Sequence, residues 1–315
     1  MSYAHIDGSS YKPVISVIIR AYNAEKTIRD AIDSVLRQSY NGFIEIIVCY
    51  DKGSNDHTYN IVMEYASRSF SNRKIIIIEH EHTTPFLALL EGLKKAKGDL
   101  VTILDADNIF PKNYIERAVN YIVKTKHDKA FYYTNLIVTN KFLQAKSTIN
   151  QEKASFRKLL VKNLIDMSTM FISSNCLKDL VEAIRSLSKI RYFEFLYEDY
   201  LLSLLAFKMC NPVHIPNIYV IYREHGENIT GITYKDPIKQ LFSLERSIKT
   251  LMAFYYLAGK SLTISQKAAL LVSLIYRILL MINTIIRVFL VIKMIKDTST
   301  ITEYEGRGRE EAKKT

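Results

Sequence analysis

Residues Leu100 to Asn108 read LVTILDADN: a run of strand-forming residues leads straight into two carboxylates, Asp105 and Asp107, with Ala106 between them. Residues two apart on an extended chain point to the same side, so both carboxylates can reach one ligand. Two charges that close repel unless a cation or sugar hydroxyls lie between them. Hard divalent cations take oxygen ligands, and Mg²⁺ is usually held by one or two carboxylates together with substrate phosphates. A diphosphate would complete such a site. Asp and Asn also cap helices and build turns, and Asn108 with Pro111 suits a solvated turn, so this stretch alone leaves both readings open.

Upstream, Val14 to Arg20 (VISVIIR) is a continuous β-branched run, too apolar for a half-exposed strand and suited to a parallel sheet covered on both faces. It ends at Ala21-Tyr22-Asn23-Ala24. Thr27 to Gln38 spaces Ile28, Ile32, Val35 and Leu36 as one helix face. Strands at Ile44 to Tyr50, Lys74 to Glu79 and Leu100 to Leu104 then alternate with helices at Thr58 to Ser67 and Pro85 to Lys97. The alternation predicts an open, mostly parallel α/β sheet whose ligands sit beyond the carboxyl ends of its strands. Asp51, Asp105 and Asp107 all stand at such ends. Downstream, a helix opens at Pro111, strands are expected at Phe131 to Thr139 and Val213 to Tyr222, and Phe156 to Ser188 is helical in an order the sequence does not fix. Glu198 and Asp199 precede the apolar Tyr200 to Met209, where an acidic pair favours the helix N-terminus and can serve as a cap alone.

The 315 residues, 48% of them apolar, suffice for one large domain or two ordinary ones. A net charge of +11 points to an anionic partner: nucleic acid, an acidic membrane or a phosphorylated substrate. Cys49, Cys176 and Cys210 are widely spaced among apolar neighbours, which predicts buried free thiols rather than a disulfide framework or a zinc cluster. No apolar core follows a basic start at the N-terminus, so the expected location is cytosolic, where the Asn228-Ile229-Thr230 triplet would carry no glycan. His80 and His82 resemble half a metal site with no third ligand, and are expected to be structural or solvated.

In combination these stretches resemble the family 2 glycosyltransferases with the GT-A fold. The resemblance runs from about residue 14 to 231 and rests on SVIIRAYNAEKTIRDAIDSVLRQSY (Ser16 to Tyr40), the turn Asp51-Lys52-Gly53-Ser54-Asn55-Asp56, ALLEGLKKAKGDLVTILDADN, YEDYLL and YREHGENIT. It implies that Asp51 and the backbone near Ala21 and Tyr22 hold a nucleobase, that Asp105 binds the ribose, and that Asp107 binds a divalent metal, Mn²⁺ or Mg²⁺, bridging the nucleotide diphosphate. It further implies that Asp199, with Glu198 nearby, deprotonates the acceptor hydroxyl with inversion at the anomeric carbon, and that His225 lies by the metal or diphosphate. His225 also reads as an ordinary surface histidine beside Arg223 and Glu224. Three departures leave the donor open. Lys52 replaces a usual second aspartate and either touches phosphate or points to water. Leu89 and Leu90 replace a polar pair, and no Gly-Gly precedes Ser173 to Cys176. No Gln-x-x-Arg-Trp motif of processive relatives is present, which favours single transfer.

After a catalytic domain over residues 13–235, preceded by an extension over 1–12, the chain becomes helical over 236–296. Leu241 to Leu257 is one helix. In Ser265 to Ile295 the polar residues Ser273, Arg277, Thr284 and Arg287 share a stripe of roughly 80° at about 100° per residue. The length suits a membrane span, but arginines near a bilayer centre are costly. An in-plane helix on anionic headgroups, with Lys267, Lys293 and Lys296 at its ends, fits better; packing on the catalytic domain or on a second copy in a homodimer is the alternative. Residues 297–315 are polar, with Gly306 and Gly308, and read as a disordered tail.

The sequence therefore predicts a metal-dependent inverting glycosyltransferase that moves a sugar from a UDP-, GDP- or dTDP-linked donor to a glycan or lipid-linked acceptor at the cytosolic membrane face. A nucleotidyltransferase would show a Gly-rich basic loop where Ala21 to Ala24 stand. A nucleic-acid binder would gather its basic residues with aromatics, and here they are dispersed. A catalytically impaired nucleotide-binding scaffold is the remaining rival.

Overall fold

The computed structural model describes residues 11–82, 84–152, 154–187, 196–225 and 237–311, with 290–311 described as helical backbone only. Its first half is the expected alternation: β1 (Ile15–Ala21), α1 (Ile28–Leu36), β2 (Ile44–Asp51), α2 (Thr58–Ala66), β3 (Arg73–His80), α3 (Pro85–Lys95), β4 (Leu100–Asp105) and α4 (Tyr114–Thr125). There follow β5 (Ala130–Asn140), β6 (Ala145–Ile149), α5 (Phe156–Val161), a 3₁₀ turn at Met167–Thr169, β7 (Met170–Ser173), α6 (Ser174–Leu187), α7 (Glu198–Met209), β8 (Asn211–Glu224), α8 (Pro237–Ala258) and α9 (Ile264–Glu311). Each strand expected from the sequence lies within two residues of its expected ends.

The sheet runs β3-β2-β1-β4-β7-β5-β6, with β8 on the other edge of β5. The first four strands are parallel, as is β8 to β5, whereas β7 is antiparallel to β4 and β5, and β6 to β5. Parallel pairings outnumber antiparallel ones, and the antiparallel ones begin at β7. The 3₁₀ turn explains why: Asp105 N donates to Ser168 Oγ at 3.2 Å, so β7 starts at the carboxyl end of β4 and must run back along it.

Alternating side chains of the buried strands feed two cores. Val17 and Ile19 face α1, α2 and α4, while Ile18 faces α3, α6, α7 and α8. Leu89 and Leu90 are buried in the latter core, which accounts for their apolar character. Gly92 lets α3 close on the sheet, since a Cβ there would stand 2.7 Å from Ile18 Cγ2 and 2.9 Å from Cys49 Sγ.

One expectation needs correction. Cys176 and Cys210 are not free thiols: they are disulfide-bonded, with Cα atoms 5.7 Å apart, and Cys49 alone stays free among the described residues. The sheet makes this pair. Ala130 N donates to Ser173 Oγ and Asn211 N to Lys129 O, so the start of β5 draws the residues before α6 and β8 together. At the other end of the chain, α9 continues through Gly306 and Gly308 to Glu311. Residues 312–315, the first ten of the N-terminal extension, and the Gly226 to Gly231 part of the strand-end motif with its Asn228 triplet lie outside the described residues.

Candidate active site

The carboxyl ends of β1, β2 and β4 converge, and the loops after β1 and β2 are laced together. Asn23, in the left-handed region at φ 46°, accepts from Asn55 N at 2.8 Å, Ala24 N donates to Thr58 Oγ1 at 2.8 Å, and Glu25 N donates to Asp56 Oδ2 at 2.9 Å. Asp51 is buried at this junction and takes Gly53 N at 2.8 Å and His82 Nδ1 at 3.1 Å. The ring of His82 lies 5.2 Å from that of exposed Tyr22. Gly53 makes room for it, since a Cβ there would come within 2.5 Å of the imidazole. Two exposed rings therefore flank a buried acceptor group, and His82 joins Ala21, Tyr22 and Asp51 here. Lys52 pairs with Glu81 at 2.9 Å on the surface.

At the next strand end, Asp107 Oδ2 lies 3.0 Å from His225 Nε2, so His225 is no isolated surface histidine. Asn108 fixes the loop: fully buried, it donates to Ser168 Oγ at 2.9 Å and accepts from Arg223 N at 3.2 Å, tying the end of β4 to the 3₁₀ turn and to β8. Arg223 is buried as well, paired with Asp30 at 2.7 Å. Burial, then the charge of Asp105, pushes the Asp107 carboxyl above its usual range, against the hydrogen bond from His225. A carboxylate oxygen and an imidazole nitrogen side by side, with a carboxyl reluctant to ionise alone, is a donor set that suits a first-row divalent cation in place of the proton. Among the described residues no three His, Cys, Asp or Glu are grouped to hold a metal ion, so further ligands would come from substrate oxygens.

The acceptor-side elements meet this edge through Arg20. Its Nη2 donates to Asp105 Oδ1 at 2.7 Å and its Nη1 pairs with Glu198 at the start of α7. Arg246 of α8, stacked on Tyr197 with its guanidinium 4.3 Å from the ring centroid, stands 3.6 Å from the other Glu198 oxygen. Asp199 accepts from Asn163 Nδ2 at 2.7 Å and from Tyr200 N at 2.7 Å. Burial, then the Glu198 charge, pushes its carboxyl up to about 7. Asp166 caps the 3₁₀ turn by accepting from Ser168 N at 2.9 Å, and burial followed by the charge of Asp105 pushes it up to about 8. Arg20, Asn163 and Asp166 are additions to the expected residues. Arg20 carries a signal in the sequence, a charge ending an otherwise apolar strand, and Asp166 another, an Asp-x-Ser cap.

The model of the family described as "Glycosyl transferase family 2" matches residues 16–177, just over half of the chain. The chain belongs to glycosyl transferase family 2. This glycosyltransferase is 29% identical over 249 residues to the Escherichia coli UDP-Glc:alpha-D-GlcNAc-diphosphoundecaprenol beta-1,3-glucosyltransferase WfgD, a match spanning 78% of this chain and 90% of that one. In fold it is similar to Staphylococcus aureus TarS in complex with UDP-GlcNAc, at TM-score 0.50 and 15% identity, covering 82% of this chain and 79% of TarS. The Pyrobaculum calidifontis mannosyltransferase PcManGT, in complex with GDP-Man and Mn²⁺, aligns at TM-score 0.50 and 14% identity over 84% of this chain and 74% of that one. The enzyme thus has the GT-A fold.

Behind α7, the glycosyltransferase carries an inverted amphipathic helix. The stretch Ile264–Phe289 of α9 is by length and composition long and apolar enough to cross a membrane. Its polar stripe faces inward: Ser273, Arg277 and Thr284 are buried, while Arg287 is exposed. Arg277 donates to Ser247 Oγ on α8 at 2.6 Å, to Val161 O after α5 at 2.7 Å and to Tyr200 Oη on α7 at 3.2 Å. The outward face is Leu271, Val272, Ile275, Tyr276, Leu279 and Phe289, each 48–69% exposed.

Proposed function

We propose that this glycosyltransferase moves a sugar, with inversion and with the help of a divalent metal, from a nucleotide-diphosphate donor to a hydroxyl of a lipid-linked glycan precursor at the cytosolic membrane face. The observation that carries the reading is the bridge of Arg20 between Asp105 and Glu198, which supports one cleft shared by the carboxylates assigned here to the nucleotide and to the acceptor.

In this reading the Ala21 backbone, Tyr22 and Asp51 receive the base, with His82 beside them, and Asp105 takes the ribose. Asp107 and His225 would hold Mn²⁺ or Mg²⁺, which would supply positive charge to neutralise the departing diphosphate. Asp199 accepts the proton of the incoming hydroxyl; its raised pKa of about 7 suits a base working near neutrality. Arg20 and Arg246 hold Glu198 away from that task. The lipid-linked acceptor is supported by the sequence relative that acts on a diphosphoundecaprenol-linked sugar and by the outward apolar face of α9. An apolar patch of this extent marks a membrane or a partner surface, and a homodimer through α9 is the other occupant.

Calorimetric titration with UDP, GDP and dTDP, with and without Mn²⁺, tests the donor half. One nucleotide binding in the micromolar range with metal, and losing that dependence in Asp107→Ala, is expected. No binding of any nucleotide under any condition would overturn it in favour of a scaffold that has lost its activity.

A further inference from the structure

Each oxygen of the Asp199 carboxylate is held by a different segment: Oδ1 accepts from Tyr200 N and Oδ2 from Asn163 Nδ2, both at 2.7 Å. Resting on the reading of Asp199 as the base, we propose that Arg277 of α9 is a positioning residue for it, because its guanidinium fixes the two segments that supply these donors.

Asn163 stands just past the end of α5, so its place depends on how that end is fastened. A helix leaves its last carbonyls without partners of its own. In α5 the last three are each taken by a side chain from α7 or α9: Leu159 O by Tyr200 Oη at 2.5 Å, Leu160 O by Ser273 Oγ at 2.5 Å and Val161 O by Arg277 Nη2 at 2.7 Å. Arg277 governs all three. Its Nη1 donates to Ser273 Oγ and its Nη2 to Tyr200 Oη at 3.2 Å. A hydroxyl has one proton to give, and accepting from Arg277 directs that proton to the carbonyl. Nε donates to Ser247 Oγ on α8 at 2.6 Å, which sets the plane of the fork.

Tyr200 is the second arm. Burial pushes its phenol up to about 12, so it stays protonated and keeps donating to Leu159 O. Its ring is buried and its backbone N–H is the donor to Asp199 Oδ1, so holding the ring holds the first turn of α7. Arg277 is only 6% exposed, and among the described residues it pairs with no carboxylate. A charge buried in this way is costlier than an apolar side chain at the same helix interface; what the guanidinium adds is a rigid fork that reaches α5, α7 and α8 at once. The charges facing Asp199 come from Glu198 on α7, Asp105 on β4, Arg20 on β1 and Asp166 before the 3₁₀ turn, and Arg246 of α8 faces Glu198. Substitution at Arg277 leaves all of these in place. It loosens the two donors, whose bonds favour the ionised carboxylate, so the Asp199 carboxyl should titrate at higher pH.

The test is carbon-13 NMR of the full chain with labelled aspartate carboxyls, the Asp199 signal being assigned by its loss in Asp199→Asn. In wild type that signal should titrate at about 7. Arg277→Met is expected to raise the midpoint by about half a unit or more, roughly a threefold change in the ionisation constant. Arg277→Lys keeps the charge without the fork and should give a smaller shift in the same direction; it carries the comparison alone if the Met variant does not fold. Arg73→Met removes a buried guanidinium from the carbonyls of Gln38, Tyr40 and Gly42 at the amino end of β3, and should lower Tm by a similar amount, about 5 °C, while leaving Asp199 unmoved. In an Asn163→Ala background the Arg277→Met shift should shrink to about half or less, because one route is already cut. A wild-type midpoint in Arg277→Met, an equal shift in Arg73→Met, full restoration by Arg277→Lys or an undiminished shift beside Asn163→Ala would each overturn the proposal. These titrations need neither donor nor acceptor. UDP release from UDP-glucose with Mn²⁺ at the wild-type rate in Asp199→Asn would strike the base reading separately, and the titrations would still decide what holds the carboxylate.

Discussion

Arg20 Nη2 stands 2.7 Å from Asp105 Oδ1 while Nη1 of the same guanidinium pairs with Glu198, so the last turn of a parallel strand joins the end of β4 to the first residue of α7. The Arg20 side chain is 17% exposed, so the network is only partly screened by water. Arg20→Met leaves two half-buried carboxylates facing each other across the cleft. The expected loss is about 2 kcal/mol of stability, discounted from the fully buried case, with at least about 100-fold in kcat/KM. Arg20→Lys keeps the charge but not the fork that reaches both partners, and should fall between. Thermal unfolding and donor kinetics check both; unchanged kinetics in the Met variant would remove Arg20 from the site.

The acid limb of the rate profile should report Asp199. A base must be ionised to take the hydroxyl proton, and its carboxyl is pushed up to about 7 by burial and then by Glu198. The rate should therefore fall about tenfold per pH unit below that value and level off above it. Asn163 donates to the same carboxylate at 2.7 Å, which favours the ionised form. Asn163→Ala should move the limb to higher pH and leave the plateau within a few-fold of wild type. A limb that stays put would mean that another group titrates.

Asp166 makes a stability prediction of definite sign. Its folded carboxyl is raised to about 8 by burial and then by Asp105, well above an unfolded value of about 3.9. Between those limits the folded chain binds the extra proton, so stability contributed by this group declines as pH rises through the window, by at most about 1.4 kcal/mol per unit. Asp166→Asn keeps an oxygen to cap Ser168 N and removes the charge. Denaturant midpoints of the variant should be flatter between about pH 4 and 8 and higher than wild type at the alkaline end. Parallel curves for the two proteins would contradict this.

What could be read in the sequence follows from where the information is local. Ile15 to Ile19 declares a doubly covered strand because every side chain in it but that of Ser16 is apolar, and Asp51, Asp105 and Asp107 declare a cleft because each stands at or just past the end of such a strand. Asn163 and Asp166 are invisible by the same logic. Their place depends on β7 turning back along β4, a tertiary pairing with no periodic signature in Phe156 to Ser188. The Cys176–Cys210 bond likewise follows from β5 lying between two distant segments, which spacing alone does not encode. At the far end, Gly306 and Gly308 each cost about 1 kcal/mol in a helix, yet α9 runs through them as the extension of a long preformed helix.

The polar stripe of α9 was legible as a stripe, but the direction it faces was not, and that direction separates two kinds of variant. Arg277 satisfies Val161 O, Ser247 Oγ and Tyr200 Oη from inside the protein, so Arg277→Met should leave buried polar groups unpaired. A cost of about 2 kcal/mol and a fall in Tm of about 5 °C are expected. Val272→Glu with Leu279→Glu changes only the outward side, where both residues are more than half exposed. That pair should leave Tm within about 1 °C of wild type, because a solvated carboxylate on an exposed helix face disturbs no packing. Co-sedimentation with anionic vesicles should nevertheless drop at least about tenfold, since each glutamate adds both a hydration cost and like-charge repulsion at a headgroup surface. If the pair instead turns a dimer into a monomer and leaves vesicle binding intact, the outward face is an interface between two copies. In that case the apolar side chains meet each other rather than lipid.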